Sequence, residues 1–170
     1  QVIRNRTPDN DTLSHDETGL LAADENGRRL RAEHSIAYLV AASQATEQPL
    51  LGHLTRVLSG ALGRDKVLTG SADGKVLIWD AMGKQIEQVL DTGCGPISAL
   101  ALAADGAAVF ITCGMDQIQL LDLATTRVVL SLPNPTGFLP NRMQVAEDGR
   151  LLLLHDENRS GAIPLMPETW

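Results

Sequence analysis

Leu68-Thr69-Gly70-Ser71-Ala72-Asp73-Gly74-Lys75-Val76-Leu77-Ile78-Trp79-Asp80-Ala81 is the stretch around which this chain is organised. Two apolar runs, residues 66–69 and 76–79, flank a polar turn that ends in Asp73-Gly74. An Asp-Gly pair between β-prone runs is a hairpin signal, because glycine accepts the positive φ of a tight turn. Upstream lies a Gly-His pair, Gly52-His53, and the second run closes on Trp79-Asp80.

Similar apolar runs begin at Leu20, Val67, Val109 and Leu151, at spacings of 47, 42 and 42 residues. Each follows a polar turn and precedes a second apolar run, which is the rhythm of a β-meander. Gly-His, Gly-Ser-x-Asp-Gly and Trp-Asp, in this order and at this period, resemble the tryptophan–aspartate (WD) repeat family. That resemblance implies an all-β fold, in which each repeat builds a β-propeller blade of four antiparallel strands. The expected repeats are 1–48, 49–84, 85–126 and 127–170, making an incomplete propeller or part of a larger one.

Within repeat one, residues 1–5 read as an outer strand, and 12–14 and 20–23 as the first two inner strands. Residues 28–48 suit either a helix or a strand. The period favours a strand at 36–40 and places five extra residues in an enlarged turn over 26–34. In repeat three, Gly93-Cys94 stands where Gly-His belongs and Leu121-Asp122 where Trp-Asp belongs, so apolar packing by Ile97, Leu100, Val109, Ile111 and Ile118 must hold that blade. In repeat four, Pro164 confines the third strand to an edge or a bulge, since proline cannot donate to a ladder. The chain then stops at Trp170, short of an outer strand.

In WD blades a histidine, a Ser or Thr, an Asp and the Trp share a buried hydrogen-bond network. The resemblance assigns these roles to His53, to Ser71 with Thr69 as the alternative hydroxyl, to Asp73 and to Trp79. A Ser/His/Asp hydrolase reading of the same residues lacks a nucleophile elbow and an oxyanion hole. No metal spacing, phosphate loop or dinucleotide fingerprint is present, so no cofactor, metal or catalytic residue is expected. His15, His34, His53 and His155 fall one per repeat, at unequal aligned positions.

The 170 residues are 44% hydrophobic and carry a net charge of −7, which argues against a nucleic-acid surface. No apolar run approaches the ~18 residues of a membrane span, and residues 1–6 hold no signal-peptide apolar core. The missing initial Met suggests an internal piece of a longer protein. Cys94 and Cys113 make no disulfide framework; the hairpin at Asp105-Gly106 sets Cys113 opposite Ser98, and a reduced, intracellular, cytoplasmic setting is expected. The sequons at Asn5, Asn10 and Asn158 point the other way.

Arg28, Arg29 and Arg31 form a cationic knob in an acidic chain, placed in the enlarged turn and suited to carboxylate or phosphate groups of a partner. The alternative is a solvated loop balancing Asp24, Glu25 and Glu33. The proline-bounded loop 133–140 reads as a plain connector, with a binding surface that includes Phe138 as the alternative. The function expected is a non-catalytic protein–protein interaction scaffold, with further blades from the same or another chain. The alternatives are a sensor propeller of a large signalling ATPase and an extracytoplasmic ligand-binding propeller.

Overall fold

The computed structural model describes residues 19–43 and 46–165. The expected strands at 1–5 and 12–14, His15, the sequons at Asn5 and Asn10, and Trp170 lie outside them. Four antiparallel sheets follow one another, each a meander in sequence order. Blade 1 comprises β1 (Leu20–Ala23), β2 (Arg29–Glu33), β3 (Ile36–Val40) and β4 (Glu47–Leu50). Blade 2 comprises β5 (Val57–Leu62), β6 (Lys66–Ser71), β7 (Lys75–Asp80) and β8 (Ile86–Asp91). Blade 3 holds β9 (Leu100–Leu102), β10 (Ala108–Cys113), β11 (Gln117–Asp122) and β12 (Val128–Pro133). Blade 4 holds β13 (Arg142–Val145), β14 (Leu151–His155) and β15 (Ser160–Pro164), with Pro164 on the edge strand.

The central strands read as continuous apolar runs because both of their faces are buried. In β10, Val109 and Ile111 pack towards blade 2, while Phe110 packs towards blade 4. Three apolar cores result, each shared by two neighbours. Leu30, Ala37, Leu39 and Leu50 meet Val67, Leu77 and Trp79 between blades 1 and 2. Leu68, Val76 and Ile78 meet Ile97, Val109 and Ile111 between blades 2 and 3. Phe110, Ile118 and Leu120 meet Met143, Leu152, Leu154 and Ile163 between blades 3 and 4. Close approach at the first of these seams uses Gly60 of β5, where a Cβ would lie 2.5 Å from Leu30 Cδ2 and 3.2 Å from the Leu68 carbonyl oxygen. The predicted turn at Asp73-Gly74 forms as expected, with Gly74 at φ 88°.

The first strands of the blades stand side by side around one axis. The Val57 amide donates to the His34 carbonyl (2.8 Å), and the Ile97 amide to the Ser71 carbonyl (3.1 Å). Ser59 Oγ donates to the Ile97 carbonyl at 2.7 Å and Ser98 Oγ to the Pro140 carbonyl at 2.8 Å. Between blades 4 and 1 no apolar core is shared among the described residues. There the Arg142 guanidinium crosses to the Leu20 carbonyl at 2.8 Å.

Two expectations need correcting. Residues 20–23 are the first strand of blade 1, not the second, and the supposed enlarged turn contains strand β2. Leu30 and Ala32 point inwards there, and the charges of Arg29, Arg31 and Glu33 fall on the other face, so a period of two lies beneath a run that looks like loop. Residues 36–40 do form a strand, β3, in preference to a helix. The second correction concerns the cysteines: Cys94 and Cys113 are joined in a disulfide. Pairing of β9 with β10 stops at Leu100–Ile111, and Gly93 and Gly95, both at positive φ, turn the preceding chain back across Cys113.

Arg28, expected on a partner-facing knob, is a fastener between blades. Its Nε donates to Asp24 Oδ2 (2.8 Å), while its two terminal nitrogens reach the Gly63 carbonyl (2.6 Å) and the Ala81 carbonyl (3.4 Å) of blade 2. Burial pushes the Asp24 carboxyl up, and the Arg28 amide and guanidinium outweigh it, so the pKa falls below 3.8. Arg28→Ala should cost about 1–3 kcal/mol, because two backbone carbonyls at a seam lose their donor. A lowered carboxyl pKa contributes stability that is complete above its unfolded value and lost as pH falls through the folded one. The difference between wild type and variant should therefore hold at neutral pH and narrow below 3.8. Urea melts across that range measure it, and a gap independent of pH would refute the coupling.

Candidate functional site

The residues expected to form one buried network divide into two groups. Thr69 Oγ1 sits 2.7 Å from His53 Nε2 and accepts from Trp79 Nε1–H at 2.9 Å. Thr69, and not Ser71, is the hydroxyl of the network. Which of the two groups donates in the His53–Thr69 contact follows the imidazole tautomer, since the hydroxyl can accept a second hydrogen bond beside the indole's. The buried Nδ1 has no hydrogen-bond partner among the described residues. Burial holds the imidazole below its usual pKa, against the opposing pull of the Asp73 carboxylate. Ser71 Oγ instead donates to Asp73 Oδ1 at 2.5 Å, within the turn. Asp73 is exposed and also accepts from the Lys75 amide at 3.2 Å. The geometry is that of a structural strut and a turn lock: the Thr69 hydroxyl beside His53 is fully buried, and Ser71 Oγ faces the Asp73 carboxylate.

The other candidate contacts sit differently from expectation. Arg31 lies on β2, pairs with Glu47 through two hydrogen bonds at 2.5 and 2.7 Å, and covers the Tyr38 ring at 4.4 Å from its centroid. Arg29 is on the same strand and is exposed. Phe138 is 3% exposed, with the Arg159 guanidinium 4.8 Å from its ring centroid. Its loop is stiffened by Asn134, whose Nδ2 donates to the Met115 and Phe138 carbonyls at 3.0 and 2.8 Å. A buried anchor cannot meet a partner, so Phe138 leaves the set of surface candidates.

A cleft of about 950 Å³ runs along the axis, lined by the first strands of all four blades. In an up-and-down meander, the turns after second strands and the starts of first strands share one end of the blades. His34, Arg56, Asn141, Arg142 and His155 therefore gather at one mouth of the cleft. Arg31, Arg56 and Arg142 line it with Glu33 as the single carboxylate among the described lining residues, in a chain of net charge −7. Reading the sequence missed Arg56 and Arg142. Their only signal was a place just before or at the start of an apolar run. Among the described residues no His, Cys, Asp and Glu side chains group to hold a metal, and no helix is long and apolar enough to cross a membrane.

Consecutive four-stranded meanders sharing cores around an axis define a β-propeller architecture. Blade 2, with the His53–Thr69–Trp79 strut and the Trp79-Asp80 strand end, resembles a blade of the WD-repeat type. Guanine nucleotide-binding protein subunit beta-5b of Danio rerio is 38% identical over 71 residues, a match covering 41% of this chain and 18% of that protein. The chain thus spans less than a fifth of that curated relative. Two solved structures share the fold. Kuenenia stuttgartiensis hydrazine synthase matches with a TM-score of 0.69 at 16% identity, over 85% of this chain and 45% of that one. The C-terminal WD40 domain of Sif2 matches with a TM-score of 0.64 at 19% identity, over 87% and 45%. No family model matches the chain.

Proposed function

We propose that the chain is a non-catalytic interaction scaffold, a WD-repeat propeller segment of a larger protein or complex. The single observation that carries this reading is the arginine-lined mouth of the axial cleft on an acidic chain. Guanidinium groups held on strand ends favour carboxylate-rich segments of a protein partner, and the overall charge repels other acidic proteins elsewhere. Of the three arginines first singled out, Arg31 lines the cleft but gives its guanidinium to Glu47, and Arg28 belongs to the seam between blades. The lack of a shared apolar core between blades 4 and 1 among the described residues supports further blades from the same or another chain as structural partners.

Arg56→Glu tests the reading, since Arg56 is exposed and the change leaves the three cores intact. Partner capture by the full-length protein should fall about tenfold or more and lose its salt dependence. Equal capture by the variant at low salt would remove the mouth from the partner surface. A second reading, an extracytoplasmic ligand-binding propeller, is favoured over a cytoplasmic setting by two features. One is the disulfide, and the other is the Asn158 sequon on an exposed turn. The intact mass of native material decides between them, because a glycan adds mass.

A further inference from the structure

Blade 3 holds a covalent bond at positions whose blade 2 counterparts, His53 and Ser71, hydrogen-bond to Thr69 and to Asp73 and not to each other. Val67 and Val109 occupy equivalent places, pairing with Leu62 and Trp79 in one blade and with Leu102 and Leu121 in the other. Four residues beyond them lie Ser71 and Cys113. Val57 and Ile97 are equivalent as well, each amide being docked on the preceding blade's turn. His53 lies four residues before the first, and Cys94 three before the second. The cysteines thus stand, within one residue, where the neighbouring blade has His53 and Ser71, with their Cα atoms 4.6 Å apart.

We propose that the Cys94–Cys113 disulfide is a reversible redox latch on the connection between blades 2 and 3. A dithiol reductant of the thioredoxin class would attack one sulfur, form a mixed disulfide and release the other as a thiolate. Its second thiolate then attacks the reductant's own sulfur in the mixed disulfide and releases the remaining cysteine as a thiolate, so two electrons and two protons pass to the cysteines while the reductant becomes a disulfide. Reoxidation by a protein disulfide of the same class reverses each step.

Three features make this a latch and not a staple of the whole fold. Both cysteines are half-buried, and Gly93, Gly95 and Gly114 beside them have nothing within 4 Å of where a Cβ would stand, so the sulfurs lie next to open backbone. The connection is anchored independently at each end. Thr92 donates from its amide (3.1 Å) and its Oγ1 (2.7 Å) to the Gly74 carbonyl, and buried Ile97 is held by the Ser71 carbonyl. Between these anchors residues 93–96 are restrained by the disulfide together with the Cys94 amide, which donates to Thr92 Oγ1 at 3.2 Å, and the packing of Cys94 on the core between blades 2 and 3. Last, Cys94 Sγ lies 3.5 Å from Gln119 Oε1, an acceptor that a thiol could use and a disulfide cannot.

Hydrogen exchange on the chain with and without dithiothreitol tests the latch. Reduction should let iodoacetamide reach both thiols without denaturant and speed exchange over 93–96 and 113–116 about tenfold or more. Amides of 57–62 and 75–80 should be unchanged, and reoxidation should restore the original pattern. Cys94→Ser should show the fast pattern with or without dithiothreitol. Should it fail to fold, the double variant Cys94→His and Cys113→Ser, which installs the residues of blade 2, should fold and ignore the reductant. Thiols reachable only in denaturant, exchange that rises equally in every blade, or exchange unmoved by reduction would each overturn the proposal.

Discussion

Thr69→Val should lower stability by about 2–4 kcal/mol, because one lost hydroxyl strands two buried polar groups. Trp79 Nε1–H loses its acceptor and His53 Nε2 its partner, in a seam where Thr69 is fully buried. Valine fills the same volume, so the loss reports on hydrogen bonding and not on a cavity. Ser71→Ala should cost less, about 1 kcal/mol, since exposed Asp73 keeps water and the Lys75 amide as partners. Urea denaturation of both variants settles the order. A larger loss for Ser71→Ala would mean that the network runs through Ser71 after all.

Phe110→Ala should cost about 3–5 kcal/mol, the range for deleting a buried aromatic side chain. Phe110 has no exposed surface and sits among Ile118, Leu120, Leu152 and Leu154, between blades 3 and 4. Blade 4 has three strands among the described residues and shares this one described core. Exchange of its amides over 142–164 should therefore rise well before that of 57–80. Phe110→Leu, which refills most of the space, should lose about 1.5 kcal/mol or less. Uniform acceleration across all blades would show that the seams do not fail separately.

The hairpin at Asp73-Gly74 and the apolar seams were legible in the sequence, because unbroken apolar runs around a tight turn leave little else for those residues to do. The strand at 36–40 was legible only from the period of the repeats, its local spacing suiting a helix as well. Strand β2 was hidden because its solvent face is charged, which made an alternating strand look like a basic loop. Thr69 and Ser71 share one face of β6, so alternation alone could not choose between them. The register does, since Trp79 pairs with Val67 and its indole reaches the nearer hydroxyl. The disulfide escaped notice because hairpin pairing says nothing of a connection that curls through two positive-φ glycines. Phe138 was misjudged for a related reason: Asn134 folds its loop inwards through hydrogen bonds that composition does not reveal.

Each core is built half by one blade and half by the next, and this sets how far a disturbance can travel. In an array of this kind energy is exchanged between nearest neighbours, as in a row of coupled spins. A change at Phe110 alters the third seam directly and reaches Trp79 through the one intervening seam, between blades 2 and 3. Trp79 is thus a local reporter: its fluorescence follows the joint between blades 1 and 2 and stays silent while the far end loosens. The molecule can in this way vary one end of the row under selection without renegotiating the other.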